Sequence, residues 1–169
     1  MRRTTIYLLA LLFVPLGMAS AASANEGLSE QFKGACEIWG APPSLAMAIA
    51  RLESDFRPWA VNIQGVSHYP PDRESALVLA RRAIVQRKSI DIGLMQINSY
   101  WLRRLGLDPA DVIDPKINLI LGCWILSEEL KRYGLSWKAV GAYHTPIEKN
   151  PSRARAYANK VLSVWEVYK

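Results

Sequence analysis

Apolar residues recur along most of this chain at helical spacing. Segments with apolar side chains three or four positions apart form α-helices that bury one face. The segments predicted in this way are 29–39, 43–53, 73–88, 98–105, 115–133, 136–143 and 152–167. Gly40, Gly106 and Gly134 follow three of these segments, and glycine is a common residue at the end of a helix. Asp72 precedes another segment and is predicted to cap it.

One stretch departs from the helical pattern. Apolar residues alternate with polar or small ones over residues 91–99, which is typical of a short, half-buried strand. We therefore predict a hairpin arm there. Residues 61–71 contain Gly65 and two prolines and are predicted to form a loop. Together these patterns predict an α+β fold that is predominantly α-helical, with one small β element.

The first 24 residues have the composition of a secretory signal peptide. Arg2 and Arg3 precede an apolar stretch at 6–16, and residues 22–24 offer a small-x-small cleavage site. The alternative is a membrane anchor, but the apolar run has about 13 residues and a membrane span needs roughly 20. We therefore expect export to the periplasm and cleavage near Ala24. Residues 25–169 then form one domain.

The charge of the chain bears on its partners. Residues 1–24 contain two arginines and no acid, so their removal lowers the formal charge from +6 to +4. A basic surface suits a polyanion, and outside the cytoplasm the available polyanions are cell-wall polymers and membrane surfaces. The aromatic residues do not interleave with the basic runs as a stacking platform would. We therefore expect no nucleic-acid partner.

The cysteines and histidines are few. Cys36 and Cys123 are the only cysteines, and an oxidising compartment favours a disulfide between them. Such a bond would stabilise the fold by roughly 3–5 kcal/mol in the chain-entropy model. Two separate buried thiols are the alternative. His68 and His144 have no cluster of cysteines or acids at ligand spacing, so we expect no metal and no other cofactor.

Glu53 has the sequence environment of a catalytic acid. It ends a predicted apolar helix, next to Ser54 and shortly before Pro58. Burial at a helix end raises the pKa of a carboxyl group, and the partial negative charge of the helix C-terminus acts in the same direction. A carboxylic acid that stays protonated near neutral pH is what a glycosidic leaving oxygen requires. A glutamate at a helix end is more often a solvated surface residue, so the surrounding motifs decide its role.

Three ordered motifs resemble those of the soluble lytic transglycosylase family. They are Glu53-Ser54-Asp55-Phe56, Gly93-Leu94-Met95-Gln96-Ile97-Asn98-Ser99 and Ala139-Val140-Gly141-Ala142-Tyr143. The likeness covers about residues 36–145 and is nearest to the small exported type that accompanies conjugation and type III or type IV secretion machines. It implies a lysozyme-like fold and cleavage of peptidoglycan glycan strands between N-acetylmuramic acid and N-acetylglucosamine. It also implies secretion or conjugation components as partners. We expect a monomer.

The resemblance further implies roles for individual residues. Glu53 resembles the single catalytic acid/base of the family, and Ser54 resembles the neighbour that orients the glutamate or the substrate. Met95, Gln96 and Asn98 match the positions that line the saccharide groove or hold its backbone. These residues are therefore predicted to form the catalytic and substrate-binding site.

The third motif departs from the family pattern. Tyr143 matches an aromatic residue whose hydroxyl group reaches towards the glutamate, and a buried tyrosine hydroxyl needs such a partner. The next residue is His144, where the family usually has asparagine. An imidazole group can still donate a hydrogen bond to a sugar, so His144 remains a candidate substrate-binding residue. A glycan-binding assembly factor without catalytic power is the alternative that this departure keeps open.

Asp91 introduces a different mechanism. The pattern Asp-x-Gly-x-x-Gln-Ile-Asn at 91–98 also resembles the strand of animal-type lysozymes that carries their second carboxylate. Two carboxylates roughly 5–9 Å apart would permit hydrolysis. The transglycosylase mechanism needs only one carboxylate, because the substrate's acetamido oxygen attacks the anomeric carbon and a 1,6-anhydro ring then closes. Asp91 is therefore either a second catalytic carboxylate or a cap on the turn before Gly93.

Overall fold

The computed structural model describes residues 21–168, with side chains from residue 26 onward. In that part of the chain the elements are α1 (Ala21–Glu37), α2 (Pro43–Ser54), β1 (Val61–Ile63), β2 (Val66–His68), α3 (Arg73–Val85), β3 (Ile90–Ile92), β4 (Ile97–Asn98), α4 (Ser99–Leu105), α5 (Pro109–Val112), α6 (Pro115–Tyr133), α7 (Trp137–His144) and α8 (Pro151–Trp165). The predicted signal peptide lies outside the described residues except for 21–24, which belong to α1. None of the helices described is both long and apolar enough to cross a membrane.

Local side-chain caps explain why several helices begin where they do. Asp72 accepts a hydrogen bond from the Ser75 N–H at 2.7 Å and thereby begins α3, as predicted. Asn98 caps α4 in the same way, and Asp114 caps α6. Gly106 follows α4 with a φ of 67°, a left-handed conformation that costs glycine little. The predicted positions of these three helices are confirmed.

The sheet is larger than predicted. Its four antiparallel strands have the order β2-β1-β3-β4, and β3 and β4 form the predicted hairpin. The predicted loop at 61–71 was wrong, because β1 and β2 form a second hairpin there. Gln64 and Gly65 connect these strands with φ values of 52° and 90°, and two positive φ angles are typical of a tight hairpin turn. Strands β1 and β2 have three residues each, too few for an alternation of apolar side chains to be recognised in the sequence.

Helix α3 lies in the segment between the first two motifs and packs on the side of the molecule that carries the sheet. Helix α3 packs against β1, β3 and α5. The Arg73 guanidinium donates a hydrogen bond to the Ala110 carbonyl at 2.7 Å, and Arg81 pairs with Asp108 at 3.3 Å. These contacts fix α3 beside the sheet and α5.

The core lies between the sheet and the surrounding helices. Cys36 on α1 and Cys123 on α6 form the predicted disulfide, with their Cα atoms 5.2 Å apart. Helix α8 packs against both α7 and α2. Gly141 allows α7 to lie close to α8, because a Cβ atom at this position would be 2.6 Å from the Ala154 carbonyl oxygen. This close packing brings the ends of α2 and α7 against one face of α8.

Candidate active site

Glu53 lies in the last turn of α2. The helix ends because Asp55 and Phe56 take left-handed conformations, with φ values of 56° and 57°. The Glu53 side chain is 15% exposed. The pKa of Glu53 is raised to about 7: burial is the largest cause, the hydrogen bond from Tyr157 opposes it, and the nearby charge of Asp91 adds to it. Glu53 can therefore hold a proton near neutral pH and still reach solvent at one edge.

The tyrosine that contacts Glu53 is Tyr157. Its hydroxyl group donates a hydrogen bond to Glu53 Oε1 at 2.6 Å. The Tyr143 hydroxyl group, predicted to reach towards Glu53, is near enough for the charge of Glu53 to act on it, and it donates its hydrogen bond to the Met95 carbonyl oxygen at 2.8 Å. Burial, together with the charge of Glu53, raises the pKa of both tyrosines well above its ordinary value. Both phenols therefore stay protonated and act as hydrogen-bond donors.

His144 is also part of this cluster. Its ring stacks on Tyr157 with the centroids 4.5 Å apart and the planes 7° from parallel. Its Nδ1 atom lies 3.9 Å from Glu53 Oε1. Burial lowers the pKa of His144, and the charges of Arg153 and Lys160 lower it further. The imidazole group of His144 is therefore neutral near neutral pH. It lies next to the Glu53 carboxyl group and is partly exposed to solvent.

Ser54 and Met95 have structural roles. Both side chains are buried. The Ser54 hydroxyl group donates to the Leu94 carbonyl at 2.8 Å, which ties the end of α2 to the hairpin turn. The Met95 side chain packs so closely on Gly122 that a Cβ atom there would overlap it. Both side chains fix the hairpin turn beside Glu53, which agrees with the predicted alternatives that Ser54 orients the glutamate and that Met95 holds the backbone of the groove.

Gln96 and Asn98 hold the backbone of the hairpin. Gln96 Nε2 donates to the carbonyl oxygens of Gly93 and Ala60, at 2.9 and 3.1 Å. Asn98 Nδ2 donates to Asp91 Oδ1 at 2.7 Å, while its Oδ1 caps α4. Of the two predicted functions, groove lining or backbone support, these hydrogen bonds show backbone support.

Asp91 lies on β3 and accepts its hydrogen bond from Asn98 across the hairpin. It does not cap the turn, because the Gly93 N–H donates to the Ala60 carbonyl at 2.8 Å. Burial raises the pKa of Asp91, whereas the Asn98 hydrogen bond and the charge of Arg153 lower it. Since the charge of Asp91 also raises the pKa of Glu53, the two carboxyl groups are close enough to interact.

The comparison with known families decides where this chain belongs. Its residues 30–161 match the transglycosylase SLT domain. The chain belongs to this family. The membership confirms the family resemblance of the three motifs and the lysozyme-like, predominantly α-helical α+β fold.

Several bacterial relatives share parts of the SLT domain. Invasion protein IagB of Salmonella typhi is 44% identical over 86 residues, which cover 48% of this chain and 52% of IagB, so this chain spans about half the length of that relative. The Peptidoglycan-binding-like protein of Escherichia coli O157:H7 is 28% identical over 95% of this chain and 86% of its own length. Protein IpgF of Shigella sonnei is 29% identical over 76% and 74%. No solved structure matches this chain.

Asn118 supports the backbone of the hairpin, and this role was not predicted from the sequence. It is fully buried on α6. Its Oδ1 accepts a hydrogen bond from the Met95 N–H, and its Nδ2 donates to the carbonyls of Ile92 and Val112, each at 2.8 Å. A side chain at Gly93 would overlap Asn118. The sequence does place an asparagine on the inward face of an apolar helix. Because buried amides need hydrogen-bond partners, this position indicates a structural role.

Two further features of the described residues concern metal binding and cavities. Among the described side chains, no group of three or more histidines, cysteines or acids is placed to bind a metal ion. A cavity of about 690 Å³ lies between the end of α3 and α4, and none of the predicted site residues lines it. The polar groups around Glu53 are the Tyr157 hydroxyl, the His144 imidazole and the Asp91 carboxyl group.

Proposed function

We propose that this protein is a peptidoglycan lytic transglycosylase. It cleaves the β-1,4 bond between N-acetylmuramic acid and N-acetylglucosamine and leaves 1,6-anhydro-N-acetylmuramic acid ends. The observation that carries this proposal is the buried Glu53 carboxyl group with a pKa of about 7 at the end of α2. Membership of the SLT family supports the same activity.

Glu53 acts first as an acid and then as a base. It donates its proton to the glycosidic oxygen as the bond to the anomeric carbon breaks, and the acetamido oxygen of the muramic acid attacks that carbon. The hydrogen bond from Tyr157 at 2.6 Å stabilises the carboxylate that this step produces. The carboxylate then removes the proton of the sugar's 6-hydroxyl group, whose oxygen bonds to the anomeric carbon and displaces the acetamido oxygen. Glu53 thereby regains its proton.

Asp91 supports a second candidate, a hydrolytic lysozyme. Its charge acts on Glu53, and Asn98 fixes its carboxyl group on β3. In this mechanism Asp91 is the nucleophile or the general base for water. The products then carry reducing ends and no anhydro ring, so the two mechanisms differ in a product that can be identified. A glycan-binding assembly factor, the third candidate, would release no fragments.

Digestion of purified peptidoglycan followed by mass spectrometry tests all three candidates. We expect anhydro ends from the wild-type protein and a loss of at least about 100-fold in Glu53→Gln, because general acid–base catalysis contributes roughly 10²–10⁴-fold. Asp91→Asn should keep appreciable activity, and Asp55→Asn, which changes an exposed acid paired with Arg51, is the matched control. Normal cleavage by Glu53→Gln would show that Glu53 is not the acid. Equal loss in Asp91→Asn would favour hydrolysis.

We further propose that the protein is exported and opens the cell wall locally for a secretion, conjugation or pilus apparatus. The predicted signal peptide and the similarity to Invasion protein IagB support this role. Export is tested by fusing residues 1–24 to a reporter enzyme that is active only in the periplasm. The role in assembly is tested by deleting the gene and complementing the strain with wild type or Glu53→Gln. Restoration by the inactive variant would contradict a role for glycan cleavage.

A further inference from the structure

His144 and Glu53 form a pair of groups that compete for a proton. Their nearest atoms, His144 Nδ1 and Glu53 Oε1, are 3.9 Å apart. The stack on Tyr157 fixes the imidazole ring, and the same tyrosine holds Glu53 Oε1 through its hydroxyl group. When the pair holds a single proton, it is either a neutral acid beside a neutral imidazole or a carboxylate beside an imidazolium. Only the first arrangement has a proton on the group that must protonate the leaving oxygen.

One face of α8 carries the charges that distinguish these two arrangements. Arg153, Tyr157 and Lys160 are spaced four and three residues apart, which places them on the same face of the helix. Tyr157 contacts both Glu53 and His144, and the positive charges of Arg153 and Lys160 act on His144. A positive charge near an imidazole group disfavours its protonated form.

Titratable or charged side chains on α7, β3 and α8 surround the pair. The titratable or charged side chains that act on it are Tyr143 on α7, Asp91 on β3, and Arg153, Tyr157 and Lys160 on α8. The tyrosines stay neutral, and the negative charge of Asp91 disfavours a carboxylate at Glu53. Asp91 on one side and the two cations on the other therefore favour the same arrangement.

We propose that Glu53 and His144 share one proton, and that Arg153 and Lys160 are positioning residues that keep this proton on Glu53 by repelling an imidazolium at His144. This inference rests on the proposed function, in which Glu53 is the acid. It assigns His144 a role different from sugar binding. It also gives a reason for a histidine in the third motif, because an asparagine could not compete for the proton.

The direction in which the pH of lost activity moves distinguishes an effect through His144 from a direct effect of the cations on Glu53. Removal of a cation near a carboxylate destabilises the carboxylate, which would move the loss of acid activity to higher pH. If His144 mediates the effect, the same change moves the proton onto the imidazole, and the loss of activity moves to lower pH. Because Arg153 and Lys160 are exposed and water screens their charges, we expect a change of roughly half a pH unit for each residue.

The test combines a titration of the histidine ring by NMR with the pH profile of peptidoglycan cleavage. In Arg153→Gln we expect the NMR midpoint of His144 to rise and the alkaline midpoint of kcat/KM to fall. Lys160→Gln should change both midpoints in the same directions. Arg155→Gln is the matched control, since Arg155 lies on α8 over the Trp137 ring. It should change neither midpoint.

The His144→Asn background separates the possible outcomes. There, Arg153→Gln should no longer lower the alkaline midpoint, because no imidazole competes for the proton. An unchanged His144 midpoint in Arg153→Gln and Lys160→Gln, or an alkaline midpoint that moves to higher pH, would overturn the proposal. The NMR titration does not depend on catalysis. A shifted His144 midpoint without glycan cleavage would therefore support the repulsion of an imidazolium by the two cations and contradict the proposed function instead.

Discussion

Replacement of Glu53 by glutamine should stabilise the protein at alkaline pH. The pKa of Glu53 rises from 4.5 to about 7 in the folded chain. Between these values the folded state keeps a proton that the unfolded state has released, so stability falls as the pH rises through this window. A rise of about 2.5 pH units at about 1.36 kcal/mol per unit corresponds to about 3 kcal/mol. Glutamine has nearly the same shape and no charge, so the variant avoids this cost.

Denaturant unfolding at pH 4 and pH 8.5 measures the effect. We compare wild type and variant at each pH, so that the titration of groups that do not interact with Glu53 cancels. The stability of Glu53→Gln relative to wild type should be about 3 kcal/mol higher at pH 8.5 than at pH 4. Glu30→Gln is the control, because Glu30 is exposed on α1. Its relative stability should stay within about 0.5 kcal/mol at both values of pH.

Two results would refute the reasoning. If the relative stability of Glu53→Gln were the same at both values of pH, Glu53 would titrate alike in the folded and unfolded chain. It would then be unable to hold a proton at neutral pH as an acid must. If the variant were relatively less stable at pH 8.5, the folded protein would prefer the carboxylate, and Tyr157 would outweigh burial in setting the pKa of Glu53.

Two further substitutions test the contacts around this carboxyl group. Tyr157→Phe removes the hydrogen bond that lowers the pKa of Glu53, so the alkaline midpoint of cleavage should rise by about one pH unit or more. Tyr143→Phe should leave that midpoint unchanged. If Tyr143→Phe raised the midpoint and Tyr157→Phe did not, Tyr143 would be the tyrosine that sets the pKa of Glu53. Asn118→Ala leaves three buried backbone groups without partners and should cost about 3–6 kcal/mol in urea unfolding. The exposed Asn159→Ala should cost less than about 0.5 kcal/mol, and equal costs would contradict the buried role.

The features predicted correctly from the sequence depend on neighbours along the chain. Asp72 caps α3 through Ser75, three residues away, so residue type and spacing were sufficient to predict it. The hairpin of β3 and β4 is equally local, because its strands are joined by a turn of four residues. The position of Glu53 in the last turn of α2 followed from the apolar pattern of that helix and from the first motif. Such features need no knowledge of the tertiary structure.

The features that were missed depend on contacts between distant residues. Tyr157 is 104 residues from Glu53 along the chain, and a tyrosine on the inward face of a helix has the same sequence pattern whether it contacts a carboxyl group or a core side chain. Ser54 is 40 residues from Leu94. Its burial depends on how closely the hairpin approaches α2, which no local pattern specifies. The choice between the alternative roles of Ser54 and Met95 could not be made from the sequence for this reason.

The proton on Glu53 shows most clearly why motifs alone did not describe this site. The family resemblance pointed to Glu53 as the acid that we propose, but the pKa of Glu53 depends on burial between α2, the hairpin and α8, and on opposing effects of Tyr157 and Asp91. His144 belongs to the same balance, since it lies within 4 Å of the carboxyl oxygen. The residue that departs from the family motif therefore lies where a change of side chain alters proton affinity directly. The Glu53 carboxyl group holds a proton near neutral pH because burial, helped by the charge of Asp91 on β3, outweighs the hydrogen bond from Tyr157 on α8.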